Sequence, residues 1–235
     1  MRILHTHLLC IVFASVFMIA FLACFCRAGY FNKLLIKLGL VAEKPPVLDA
    51  VNSWHTCLEQ MNVQADIVFL GDSITRNGDF RSFFPAKRIC NLGCAGDSIL
   101  NIVARVPMIP TVGPKTVVVM AGINTLASRS LRQSLQHFQL LLDALGQNCP
   151  HSDVIILSVL PVHAKSRYCN NRKITLFNTA IQQLAQSRGY SYVDLFSLYA
   201  ENGSLPEYHS SDGLHIHPSS YNIWAKAISP YIEFQ

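Results

Sequence analysis

Four short blocks hold the side chains with obvious chemistry: Gly71-Asp72-Ser73, Gly96, Gly122-Ile123-Asn124 and Asp212-Gly213-Leu214-His215. Together they offer a hydroxyl nucleophile, hydrogen-bond donors for an oxyanion, and an imidazole base with a carboxylate to orient it. That is the equipment for cleaving an ester. Ser73 follows the apolar run Ile67 to Leu70 and stands at the turn into a helix, on the carboxyl edge where open α/β sheets place ligands. The competing reading is that Ser73 only caps that helix. The tripeptide recurs as Gly96-Asp97-Ser98, but farther from a strand end, so Ser73 is the better nucleophile.

Gly96 permits close approach of its backbone N–H to a substrate, and Gly93 can share that loop geometry; each can equally be a turn glycine. Asn124 ends a third apolar run and either points its amide at an oxyanion or turns the chain through an Asx-type bond. In the last block, three residues of separation let Asp212 bond one ring nitrogen of His215, leaving the other to take the Ser73 proton. His209 and His217 lie close by, but His215 has the better spacing.

These groups need a scaffold, and its elements are legible. Apolar runs at 66–70, 88–92, 116–121, 154–160 and 192–195 read as strands. Helix-period stretches fall at 99–106, 130–146, 174–188 and 218–232. Continuous Val/Ile/Leu runs imply strands covered on both faces, and the strand-helix rhythm implies a parallel sheet with right-handed crossovers. The expected fold is an α/β three-layer sandwich beginning near residue 47.

Ahead of it, Leu8 to Cys26 is an apolar run in which Ser15 is the conventional polar residue. As a helix it spans about 28 Å, enough to cross a bilayer. A transmembrane anchor within residues 1–30 is therefore expected, followed by an amphipathic linker over 31–46; a cleaved signal and a buried core helix are the alternatives. Arg2 before the run and Arg27, Lys33 and Lys37 after it favour a cytoplasmic body, but long domains cross irrespective of charge. An extracytoplasmic body on a single-pass anchor is the expectation.

The net charge is +5, but most of it sits in the first 45 residues, and the rest has 14 basic against 13 acidic side chains. A near-neutral body argues against nucleic acid as a partner. Cys57, Cys90, Cys94, Cys149 and Cys169 lie outside the apolar run without a C-x-x-C pair, so neither a zinc site nor a full disulfide framework is indicated, and most are expected to be buried thiols.

In their order and spacing the four blocks resemble the SGNH hydrolases, the GDSL esterase and lipase superfamily, over residues 66 to 233. The resemblance implies a flavodoxin-like, doubly wound sheet of about five parallel strands, Ser73 as nucleophile with Asp212 and His215, and an oxyanion hole of the Ser73 amide, Gly96 and Asn124. It implies no metal and no organic cofactor, and no obligate protein partner is evident. Two departures stand out: Thr125 where the family often has Asp, and Ile216-His217-Pro218 in place of an immediate proline.

Members act on acetylated carbohydrates, lysophospholipids and related lipids, or thioesters. O-deacetylation of a glycan is the expected activity; a lipid esterase, a thioesterase, an acyltransferase or a non-catalytic membrane-bound binding protein are the alternatives. Lys165, Arg167, Arg172 and Lys173 form a basic loop after the fourth strand, suited to an anionic group or simply solvated. Residues 196–211, with Tyr199, Glu207 and Tyr208, are expected to shape the pocket mouth.

Overall fold

A computed structural model of the chain describes residues 56–232. The expected anchor, the linker and the first residues of the expected domain lie outside the described residues. Among the described residues no helix is long and apolar enough to cross a membrane.

The sheet is built from β1 (Ile67–Gly71), β2 (Ile89–Gly93), β3 (Thr116–Met120), β4 (Asp153–Leu157) and β5 (Ser191–Val193). Its order is β2-β1-β3-β4-β5, and every pairing is parallel. The central strands are buried along their whole length, because helices cover both faces and leave no position for a polar outward side chain. Helices α3 (Ile99–Arg105), α6 (Leu131–Asn148) and α7 (Asn171–Ser187) pack side by side, while α9 (Tyr221–Ile232) packs with α2 (Phe80–Phe83) and α8 (Leu195–Tyr199). This is the expected three-layer sandwich.

The helix faces follow from their spacing. On α7, Ile174, Phe177, Ile181 and Ala185 recur every three or four residues and are all buried. On α6, Phe138, Leu141, Leu142 and Leu145 do the same, and Ser130 with Gln133 forms a capping box at its start. Phe80 lies flat on Phe69, with centroids 3.7 Å apart, and so fastens α2 to β1.

The chain passes from β1 outward to β2, then returns to β3 on the other side of β1. The connections leaving β1 and β3 therefore diverge, opening a crevice at the carboxyl ends of these neighbours. The residues after β1 and after β3 are the Ser73 and Asn124 blocks.

Several boundaries differ from the sequence reading. The fourth strand stops at Leu157 rather than 160. Ser158 Oγ accepts from the Phe196 amide, and the Asn178 side chain takes both the N–H and C=O of Val159, so the backbone leaves the ladder there. The last helix starts at Tyr221, preceded by a 3₁₀ turn at Pro218–Ser220. Of the five described cysteines, all thiols, Cys90 and Cys149 are buried; Cys57 is exposed, and Cys94 and Cys169 are half-buried, against the expectation that most would be buried.

Candidate active site

Gly71 closes β1, and the chain turns at once into α1 (Ser73–Arg76). The cap of this short helix is Asp72, whose side chain accepts from the Ile74 N–H at 2.9 Å. Ser73 is thereby released from the capping role. Its Oγ lies 2.9 Å from His215 Nε2, across 142 residues of chain. In the second copy of the tripeptide the roles shift by one place: Ser98 caps α3, accepting from the Asn101 N–H. Asp97 instead forms a buried ion pair with Arg105.

The Asp212 loop shows why its spacing works. Oδ1 accepts from the Leu214 and His215 amides at 2.9 and 2.8 Å and from Ser210 Oγ, which holds the carboxylate in a fixed turn. Oδ2 is left for His215 Nδ1, at 2.6 Å. A carboxylate only accepts, so Nδ1 carries the proton and Nε2 has a lone pair for the Ser73 O–H. Partial burial raises the Asp212 carboxyl, but the bonds from the His215 ring and the two amides outweigh it and hold the group well below its usual range. Gly213 has φ +78°, and a Cβ there would lie 2.8 Å from His163 Cβ, so this turn requires glycine.

Across the crevice, Asn124 occupies the first turn of α5 (Ile123–Ser128). Gly122 precedes it with φ +151°, where a Cβ would meet Phe177 and Val159 at 2.8 Å. The tight turn thus brings Asn124 over the strand end. Asn124 Nδ2 donates to the Asp97 carbonyl at 2.9 Å, joining it to the Gly96 loop. Gly96, with φ +77°, is exposed, and a side chain there would meet nothing within 4 Å. Gly93 is part of β2 and not of that loop; its Cβ would strike the Arg76 backbone, so glycine there lets β2 lie against α1.

Thr125, the departure noted above, has a local task. Its buried hydroxyl accepts from the Ile99 N–H at 2.9 Å, so α5 is tied to the start of α3. Arg105 completes the support from beneath: it donates to the Leu92 and Gly71 carbonyls as well as to Asp97, gathering the ends of β1 and β2 and the Gly96 loop onto one guanidinium. Neither contact was visible in the sequence, since Thr125 and Arg105 are ordinary residues outside the four blocks.

A cleft of about 700 Å³ opens beside this arrangement, lined among others by His163, Lys165, Arg167, Tyr168, Asp212 and His217. It reaches the carboxylate side of the site; Ser73 lies outside its lining. Of the expected mouth residues, Glu207 lines the cleft. Tyr199 instead is buried in the core, donating to the Ser220 carbonyl, and Tyr208 points outward to Glu201. His209 pairs with Ser220 Oγ and packs on Tyr199. Arg172 and Lys173 belong to α7 rather than a loop, and Lys173 donates to the Leu126 and Arg129 carbonyls at the end of α5, where a cation meets the negative helix terminus. Lys165 and Arg167 remain in the loop and are exposed, as is Arg172 on α7. Among the described residues no group of three or more His, Cys, Asp or Glu is placed to hold a metal ion.

Asp72 itself is an electrostatic cost. Burial pushes its carboxyl up to about 6, against the opposing pull of the Ile74 amide and the neighbouring His215. Between about pH 4 and 6 the folded state keeps a proton that the unfolded chain has lost, so stability falls as pH rises through that window, by about 3 kcal/mol in all. Asp72→Asn keeps the acceptor for Ile74 and removes the charge. It is expected to raise the Tm at pH 8 and flatten the loss between pH 4 and 6; a variant whose Tm falls with pH as steeply as the parent's contradicts this assignment.

The profile of the GDSL-like Lipase/Acylhydrolase family matches residues 69–222, which contain all four blocks. No curated protein sequence matches the chain. Among solved structures, a GDSL-like lipase from Bacteroides thetaiotaomicron superposes with a TM-score of 0.66 at 21% identity, covering 80% of this chain and 98% of that one. A lipase/acylhydrolase from Enterococcus faecalis gives 0.62 at 18%, covering 72% and 95%. An acetyl xylan esterase from Geobacillus stearothermophilus gives 0.57 at 19%, covering 74% and 98%. At these identities the superpositions establish a shared fold.

Proposed function

Since this chain belongs to the GDSL-like lipase/acylhydrolase family, within the SGNH hydrolases, and is thus a hydrolase of ester bonds, we propose that Ser73, His215 and Asp212 form its catalytic triad and that the reaction passes through an acyl-enzyme. The Ser73 Oγ attacks the ester carbonyl carbon while its proton moves to His215 Nε2. The resulting oxyanion accepts from the Ser73 and Gly96 N–H groups and from Asn124 Nδ2. As the tetrahedral intermediate collapses, His215 returns the proton to the departing alcohol. Water, deprotonated by the same ring, then attacks the acyl carbon, and Ser73 leaves with the proton. The observation that carries this reading is the unbroken chain from Ser73 Oγ to His215 at 2.9 Å and from His215 to Asp212 at 2.6 Å.

The proposed substrate is an O-acetylated glycan. Its support is the character of the cleft: Lys165, Arg167, His163 and His217 line it in place of the apolar walls a long acyl chain needs. An acetyl xylan esterase sharing the fold is compatible with this. The apolar run Leu8 to Cys26 supports tethering to a membrane.

One preparation tests both parts. Membranes from cells making the full chain, washed in alkaline carbonate, are expected to retain hydrolysis of p-nitrophenyl acetate, to release acetate from an O-acetylated glycan, and to cleave the octanoyl ester at least about tenfold more slowly. Activity found only in the wash rejects the tether. An octanoyl preference rejects deacetylation in favour of a lipid esterase.

A further inference from the structure

The segment between β4 and α7 ties together the two halves of the site. The Asn171 side chain clamps the N–H and C=O of Val162, both at 2.8 Å, and fixes where the segment leaves the sheet. The His163 N–H donates to the Gly213 carbonyl at 2.9 Å, fastening it to the loop that carries Asp212 and His215. Farther along, the Tyr168 N–H donates to Ser166 Oγ, and the Tyr168 phenol crosses the crevice to donate to Asn124 Oδ1.

That last contact bears on the oxyanion. A side-chain amide has one donor end and one acceptor end. The Asp97 carbonyl only accepts, so the end of Asn124 facing it at 2.9 Å is the nitrogen, and the oxygen must point the other way. There it meets the Tyr168 hydroxyl. One Nδ2 hydrogen is committed to Asp97, which leaves the second as the only one available to a substrate oxygen.

We propose that Tyr168 is a positioning residue for this hydrolase: by donating to Asn124 Oδ1, it pins the amide plane and aims the second Nδ2 hydrogen at the developing oxyanion. The inference rests on the reading of Asn124 as an oxyanion donor. Two physical effects follow from the bond. With anchors at both ends, the amide loses the swing about its last side-chain torsion that a single bond to Asp97 would leave. Donation into the carbonyl also draws electron density away from the nitrogen, so the remaining N–H becomes a stronger donor. Both effects grow in importance as negative charge builds on the substrate oxygen, so their loss slows turnover more than it weakens binding. Tyr168 is 42% exposed and also lines the cleft beside Asp212, so removing its hydroxyl leaves the core untouched.

The test is a double-mutant cycle on p-nitrophenyl acetate with the full chain, Tyr168→Phe, Asn124→Ala and the pair, alongside Ser73→Ala. Tyr168→Phe is expected to lower kcat about tenfold with KM changed less than about twofold. In the Asn124→Ala background the same change is expected to cost less than about twofold, because the amide it serves has gone. A Tyr168→Phe rate equal to the parent's overturns the proposal. An equal tenfold loss in both backgrounds also overturns it, since a general folding or packing defect would act whether or not Asn124 is present. Failure of the underlying reading looks different: Asn124→Ala alone would then leave kcat at the parent's value.

Discussion

Ser73→Ala is expected to lower kcat toward p-nitrophenyl acetate by about 10⁴-fold or more, with a KM within about threefold of the parent's. The change removes one oxygen from a half-buried side chain. The helix cap belongs to Asp72, and the Ser73 N–H stays in place, so neither the start of α1 nor an amide contribution to the oxyanion hole is disturbed. The thermal midpoint should therefore stay within about a degree, separating chemistry from folding. Members of one proton relay act as a unit, so Ser73→Ala with His215→Ala together should be little slower than Ser73→Ala alone. A Ser73→Ala protein that keeps a tenth of the parent rate is incompatible with the mechanism.

The largest effect on stability is expected at Arg105. It forms an ion pair with Asp97 at 2.5 Å, the two side chains being only 6% and 10% exposed. Removing one partner leaves a buried carboxylate uncompensated and strips a donor from the Gly71 and Leu92 carbonyls. Arg105→Met is expected to cost about 3 to 5 kcal/mol. For a domain of this size that lowers the Tm by about 6 to 20 °C, readable by calorimetry or urea unfolding. Arg105→Met with Asp97→Asn removes both charges and should recover much of the loss. If the double variant is no more stable than Arg105→Met, the carboxylate is not the source of the penalty. Activity should also fall in the single variant, because Asp97 supplies the carbonyl on which Asn124 is anchored.

Such a penalty comes from a residue that the sequence gives no reason to single out. Asp97 precedes α3 and Arg105 ends it, and at that spacing they read as two unrelated surface charges. Tyr168 was likewise invisible, a tyrosine in a basic stretch whose partner lies 44 positions earlier. Lys173 belongs to a helix rather than to a loop, because Asn170 caps that helix four residues ahead of its first buried apolar side chain, Ile174. Tyr199 lies in the core rather than at the pocket mouth, because its hydroxyl finds a partner there at Ser220, which allows complete burial.

What could be read directly were the strands and the four blocks. Buried parallel strands are unbroken apolar runs ended by glycine or a polar turn, and that signal is local, so β1, β2, β3 and β5 fall within two residues of their expected limits. The Asp212 to His215 spacing is local too, a turn whose own amides orient the carboxylate. Convergence is another matter. Whether Ser73 or Asp72 caps α1, which end of Asn124 faces the crevice, and whether Ser73 meets His215 at all depend on the order in which the strands lie side by side. Hydrogen bonds between residues more than a hundred positions apart leave no periodicity in the chain; they exist only once the core has packed and brought the carboxyl ends of β1 and β3 to a common edge.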